Sequence, residues 1–190
     1  MPIPFASRVE STGVREIPAT RVNEYDRKRL AMALSMARDS PDPSTQNGAS
    51  LYAADGYLIG LGTNRPVVEI GHETYQHLDR DERHPLTVHA EVDAIASAYN
   101  NPVNGTLYCW WATCLGCART ILAADIDRLV THAWTVHHTP SRWQDEVFRG
   151  LKLLANRGGI QVDLLRGDLV GECSDVQAIR FDGQSISECY

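Results

Sequence analysis

Apolar residues fall along the chain in short runs whose spacing switches between the helical and the strand period. Leu30, Ala33, Leu34 and Ala37 lie at i, i+3, i+4 and i+7, the stripe of one amphipathic helix. Asn23 stands where a cap belongs, with Asp26 three residues on, and Pro41 and Pro43 end the helix by Ser40. Segments 49–54 and 57–64 are apolar-rich and joined by Asp55-Gly56, a dipeptide suited to a tight turn, which predicts an antiparallel hairpin. Residues 65–86 are polar, with Pro66 and Pro85 near their ends, and are expected as a long functional loop.

Val92, Ile95, Ala96 and Tyr99 form the stripe of a second helix that ends near Asn100. A buried strand over 105–111, a third helix over 114–124 and a strand over 128–133 follow. A fourth helix from about Arg142 buries Trp143, Val147, Leu151 and Leu154 and closes at Gly158-Gly159, before a strand in which Ile160, Val162 and Leu164 alternate. A hairpin followed by β-α-β-α-β implies a mixed five-stranded sheet whose later strands are parallel, because each helical crossover returns the chain in the same direction. The expected fold class is therefore α/β, a three-layer α/β/α sandwich over residues 23–166. Residues 1–22 and 167–190 are read as N-terminal and C-terminal extensions without strong periodicity.

Composition narrows the function more than the fold. With 190 residues, 43% hydrophobic and 22% charged, the chain has the make-up of an ordinary globular domain. No apolar run approaches the roughly 18 residues of a membrane span, and residues 1–20 carry charges where a secretory leader is apolar. No membrane association and a cytoplasmic location are the expectation. A net charge of -6 argues against gripping a nucleic-acid backbone and favours a small-molecule partner. Of the five cysteines, two sit at a C-x-x-C spacing, which outside a secreted chain points to metal or redox chemistry.

The chemistry concentrates in Thr87-Val88-His89-Ala90-Glu91 and Thr113-Cys114-Leu115-Gly116-Cys117, each at the start of a predicted helix. Cys114 and Cys117 share one helix face, and the dipole of a helix N-terminus favours the thiolate that binds metal. His89 and Glu91 are two apart, so both approach one metal only if the helix begins at about Val88. Catalytic zinc takes three protein ligands and an open fourth position, a count that His89, Cys114 and Cys117 meet while Glu91 stays free to carry protons. A structural zinc knuckle completed by Cys109 or Cys173, or a redox pair, would explain the cysteines but not Glu91. Otherwise Cys109, Cys173 and Cys189 are read as unpaired thiols. His72, His77 and His84 could form a second metal site, but such a charged run more often makes a solvated surface.

The H-x-E and C-x-x-C segments resemble the signature of the zinc nucleobase deaminases. Asp42-Pro43-Ser44-Thr45-Gln46-Asn47-Gly48-Ala49 resembles the D-P-S-T-x-x-G-A segment of the cytidine and deoxycytidylate deaminases. Gly60 to Pro66 resembles their G-x-G-x-N-x-x-P, with the proline one residue early and Arg65 for glycine. Val88 to Ile95 resembles V-H-A-E-x-N-A-I, and Gly105 to Tyr108 the G-x-T-L-Y strand. Thr113 replaces the usual proline, although threonine can itself cap a helix, and Trp110 and Trp111 stand where small or aliphatic residues are common.

The resemblance implies a cytidine deaminase-like fold, Zn2+ on His89, Cys114 and Cys117, and Glu91 as the proton carrier. It implies hydrolysis of deoxycytidylate (dCMP) to deoxyuridylate with release of ammonia. It places Asn64 at the sugar hydroxyl, with the Ala90 amide and the neighbourhood of Ala49 facing the pyrimidine. For base stacking and the 5'-phosphate it points to the segment holding Trp134, His137, His138 and Arg142. Arg65 is a further phosphate partner, since guanidinium matches phosphate oxygens. Trp110 is the residue expected to touch the base, whereas Trp111 reads as core or interface. A homo-oligomer and a nucleotide triphosphate effector are also implied. The competing readings are a modified pyrimidine nucleotide, a nucleoside or a tRNA adenosine as substrate, the last disfavoured by charge, and a non-enzymatic zinc-stabilised binding module.

Overall fold

The computed structural model of the protein describes residues 3–67, 70–167, 169, 179–181 and 184–186. In chain order these hold α1 (Phe5–Glu10), β1 (Arg15–Ile17), a 3-10 turn (Ala19–Arg21), α2 (Glu24–Ala37), β2 (Gly48–Tyr52), β3 (Leu58–Thr63) and β4 (Arg65–Pro66). Then come α3 (His72–His77), α4 (Arg80–Leu86), β5 (Thr87–Val88), α5 (Ala90–Ala96), β6 (Thr106–Cys109), α6 (Leu115–Ala123) and β7 (Arg128–His132). α7 (Ala133–His137), α8 (Ser141–Lys152), a π segment (Leu153–Gly158), β8 (Gln161–Leu165), β9 (Ile179–Phe181) and β10 (Gln184–Ile186) complete the series.

The main sheet runs β1-β8-β7-β6-β2-β3. Its first four strands are mutually parallel, and β2 is antiparallel to both β6 and β3. On one face α2 buries Leu30, Ala33, Leu34 and Ala37 against Tyr108, Trp110, Val130 and Leu165. On the other, Ala90, Ala94, Ile121, Val147 and Leu151 from α5, α6 and α8 cover Leu51, Leu107, Leu129 and Val162. These are the three layers the hydrophobic pattern implies. No helix among the described residues is long and apolar enough to cross a membrane.

Three departures from the sequence pattern have local causes. The sheet has six strands rather than five, because Arg15–Ile17 pairs in parallel with β8. Three residues of mixed exposure carry no readable alternation. The span 65–86 is not an open loop: β4 pairs with β5, and α3 and α4 fill the interval. Tyr75 is the buried residue of α3 and Arg83 that of α4, so neither helix shows an apolar stripe. Finally, α5 stops at Ala96, leaving Tyr99 79% exposed rather than in a stripe. Cys173 and Cys189 lie outside the described residues.

A charged network ties the α2 layer to the parallel strands. Arg128 of β7 donates both terminal nitrogens to Asp26 of α2 at 2.8 Å, and its Nε to Asp163 of β8 at 2.7 Å. Arg15 of β1 reaches the same Asp163 at 2.7 Å. Burial by itself would raise both carboxyls. Hydrogen bonds from Arg128 and Tyr108 to Asp26, and from Arg15, Gln161 and Arg128 to Asp163, outweigh it and leave both below the ordinary range.

Arg128→Leu strips a buried partner from two carboxylates at once, and urea titration should show a loss of about 3–5 kcal/mol. Because both carboxyls are depressed in the folded state, their stabilisation is present above the unfolded value of about 4 and is lost as pH falls through their lower folded values. The acid limb of the stability profile should therefore flatten in Arg128→Leu.

Candidate active site

The site is built from two helix starts. His89 sits at the N-cap position of α5 with extended angles, φ -77° and ψ 150°, so it lies just outside the helix and Glu91 just inside. That placement lets residues two apart face one point. Cys114 is the N-cap of α6, and its sulfur accepts the Cys117 amide at 3.5 Å. Thr113 does not cap: its buried hydroxyl makes no bond to the α6 backbone and instead acts on the Glu91 carboxyl, which it helps to hold down against burial. The cysteine has taken over the role that threonine was expected to fill.

His89 Nδ1 lies 3.2 Å from Cys117 Sγ and 3.5 Å from Cys114 Sγ, and the two sulfurs are 3.6 Å apart. Among the described residues this is the group of donor atoms close enough to share a metal ion, all within 4.8 Å of one another. Cys109 is not part of it; its sulfur meets the Asn47 amide at 3.4 Å. The hydrogen bond with Cys117, followed by that with His89, brings the Cys114 thiol down to about 4 against the effect of burial. Burial would lower the His89 imidazole, yet its bond to Cys114 lifts it to about 9. The Cys117 thiol is pushed up, first by its contact with Cys114 and then by burial. Near neutral pH the Cys117 thiol and the His89 imidazole thus hold two protons that ligation must remove, and a cation shared by the three groups would displace them.

Glu91 is 1% exposed, and its Oε2 has no hydrogen-bond partner among the described residues. Burial drives its carboxyl up. An orphaned carboxylate oxygen next to three zinc-type donors is the arrangement of a metal site with one side left for a substrate and a proton carrier beside it. The inner cleft is lined by Asn47, Asn64, His89, Glu91, Trp111 and Trp143, with Ala112, Cys114 and Val147. Its cavity volume is about 20 Å³, room for a water, and the cleft is partly open to solvent.

Asn64 and Asn47 are the clamps of this cleft. Asn64 Oδ1 accepts the Ala90 amide at 2.9 Å, and its Nδ2 donates to the Thr45 carbonyl at 3.0 Å. The Ala90 amide is thus committed to Asn64. Asn47 Oδ1 accepts the Trp111 amide at 3.0 Å. Two close approaches set the helices. A Cβ on Gly62 of β3 would lie 2.2 Å from the Ala90 carbonyl, and one on Gly150 of α8 would lie 2.7 Å from that of Thr113. Only glycine lets the sheet and α8 come that near to the two ligand-bearing turns.

The other residues expected to bind substrate do not line the cleft. Ala49 is fully buried within β2, opposite Cys109. Arg65 is tied to Asp93 at 2.7 Å. Trp110 is fully buried on the α2 face and stacks on His132 at 5.2 Å, which removes it from the base. Trp134 stacks on His138 at 4.3 Å, His137 faces Glu16 at 3.4 Å, and Arg142 is exposed at the start of α8. In the bend after β6, Trp110 joins the α2-side cluster while Trp111 packs against the core of the other face, as its core reading expects, and also lines the cleft. Trp143, counted as core from its helical spacing, is half-buried and meets Trp111 edge-on at 6.2 Å. The neighbouring Thr139-Pro140, marking a helix start, was the available signal that Trp143 stands at a rim.

Residues 23–133 match the family described as the cytidine and deoxycytidylate deaminase zinc-binding region. Human deoxycytidylate deaminase is 26% identical over 145 residues, 72% of this chain and 77% of that protein. The dCMP deaminase of cyanophage S-TIM5 has the same fold, with a TM-score of 0.53, 17% identity, and 75% of this chain and 98% of that chain covered. Acinetobacter baumannii RibD also shares it, with a TM-score of 0.53 and 22% identity, covering 80% of this chain and 36% of the larger RibD chain. The chain belongs to the zinc-binding cytidine and deoxycytidylate deaminase family. It is a hydrolytic deaminase of that family, with Zn2+ as its metal.

Metal analysis of purified protein should find about one zinc per chain, falling close to zero in Cys114→Ala. Gly62→Ala should lower both zinc occupancy and thermal stability without altering a ligand, because the added methyl pushes the Ala90 turn away from α6.

Proposed function

We propose that the protein converts deoxycytidylate and water to deoxyuridylate and ammonia. The observation that carries this reading is the buried, unpartnered Glu91 oxygen beside the His89, Cys114 and Cys117 donors. The likeness to human deoxycytidylate deaminase supports the nucleotide as substrate. Zinc, when bound by those three residues, would supply Lewis acidity toward a water and so make it a hydroxide-like nucleophile near neutral pH.

The chain's own residues do the rest. Glu91 Oε2 takes the proton of the attacking water and passes it to the ring nitrogen, then serves the departing amine in turn, so no second acid is needed. Its raised affinity for protons suits a group that must both accept and donate near neutral pH. Trp111 and Trp143 offer the aromatic walls of the cleft and, once the base is seated, exclude bulk water. Asn64 holds the Ala90 turn so that Glu91 and His89 keep their common aim. The same reading extends to a homo-oligomer, a nucleotide triphosphate effector and a cytoplasmic location.

Ammonia release from zinc-loaded protein tests the proposal. Turnover of dCMP is expected, with Glu91→Gln retaining zinc and losing about 10²- to 10⁴-fold in kcat. Undiminished activity in that variant would remove Glu91 from the chemistry. A zinc-loaded wild type silent on dCMP, but active on a nucleoside or a modified pyrimidine, would replace the substrate and leave the site.

A further inference from the structure

A second hollow lies outside the inner cleft and opens to solvent. It shares Asn64, His89, Trp111 and Trp143 with the cleft and adds Arg80, Arg83 and His84. A nucleotide whose base reaches Glu91 must project its 5'-phosphate outward past the sugar, toward such a contiguous space. From this layout we infer that Arg80 and His84, on the polar helix α4, hold the substrate's 5'-phosphate at the mouth of the cleft. The inference rests on the monophosphate reading above.

Arg80 and His84 are one helical turn apart and share a face of α4. Both pack on the same ring: the Arg80 guanidinium carbon is 5.5 Å from the Trp143 centroid, and the His84 ring 5.1 Å from it. Trp143 therefore holds two donor groups in place while forming a wall of the base cleft. His84 also stands 6.4 Å from His89, measured between ring centroids, which sets the mouth close to the metal donors.

The charge balance of the hollow favours an anion. Its carboxylate, Asp42, is spent internally: one oxygen accepts from the Ser44 amide, the Ser44 hydroxyl and the Thr45 amide, and faces Arg83 at 3.8 Å. Arg83 is in turn anchored, donating to the Leu78 carbonyl at 2.8 Å. Among the described residues no carboxylate is paired with Arg80. Guanidinium offers a phosphate paired donors, and Arg80 lines the hollow beside Arg83 and His84. The groups expected from sequence are otherwise engaged: Arg65 with Asp93, and His137 with Glu16.

The test compares dCMP with deoxycytidine as substrates, and deoxyuridylate with deoxyuridine as ligands by calorimetry. Proteins are the zinc-loaded wild type, Arg80→Ala, His84→Gln, and Lys28→Ala on the opposite layer. Arg80→Ala should cut the preference for the phosphorylated form by about tenfold or more, in kcat/KM and in binding alike. His84→Gln should cut it less, and Lys28→Ala should leave it at the wild-type ratio. A wild type that prefers the monophosphate, together with an Arg80→Ala protein that keeps the full preference, overturns the clamp and spares the substrate reading. A wild type indifferent to the phosphate, in both turnover and binding, overturns the substrate reading and the clamp with it.

Discussion

Three donor atoms from two different helices lie within 4.8 Å of one another, and much of the surrounding structure serves to keep two helix starts at that separation. Neither turn can hold the position alone. The α5 turn is pressed onto β3 where Gly62 leaves no side chain in the way, and is pinned from the front by Asn64. The α6 turn is backed by Gly150 of α8. Since β3 and α8 are nearly eighty residues apart in sequence, the metal group is a product of the whole sandwich. The same geometry keeps Glu91 out of water, and that burial drives its carboxyl upward.

A second set of charges steadies the frame on which this happens. Arg128 joins Asp26 and Asp163 across the sheet, and Arg15 brings the outermost strand into the same network. Buried ion pairs of this kind add little net stability compared with apolar packing, but they penalise any arrangement that leaves one member unpaired. Here that penalty falls on displacement of α2, β1, β7 or β8. The network lies on the α2 side of the sheet, opposite the layer that carries the metal donors, so frame and chemistry are separated by the sheet itself.

Trp143 links two functions that are far apart in the sequence. One part of the ring faces the cleft beside Trp111, and the ring also supports Arg80 and His84. A side chain placed in this way joins the wall of the cleft to the basic mouth outside it.

The sequence by itself determined the main elements, the three layers and the identity of the chemical group. Those features rest on local signals: hydrophobic period, the Asn23 cap, which does accept the Asp26 amide, and two motifs at helix starts that only make sense together. Strand β1 and helices α3 and α4 left no such signal, because three residues cannot show a period and a helix that buries one or two side chains has no stripe. Only the tertiary structure decided which aromatic residues meet the cleft. Trp110 and Trp111 are chemically alike and adjacent, and the bend that follows β6 sends one to each side of the sheet, a placement set by the assembled layers. The same holds for Arg80 and His84: their meeting with Trp143 joins α4 to α8 across some sixty residues of chain, a contact no local pattern encodes.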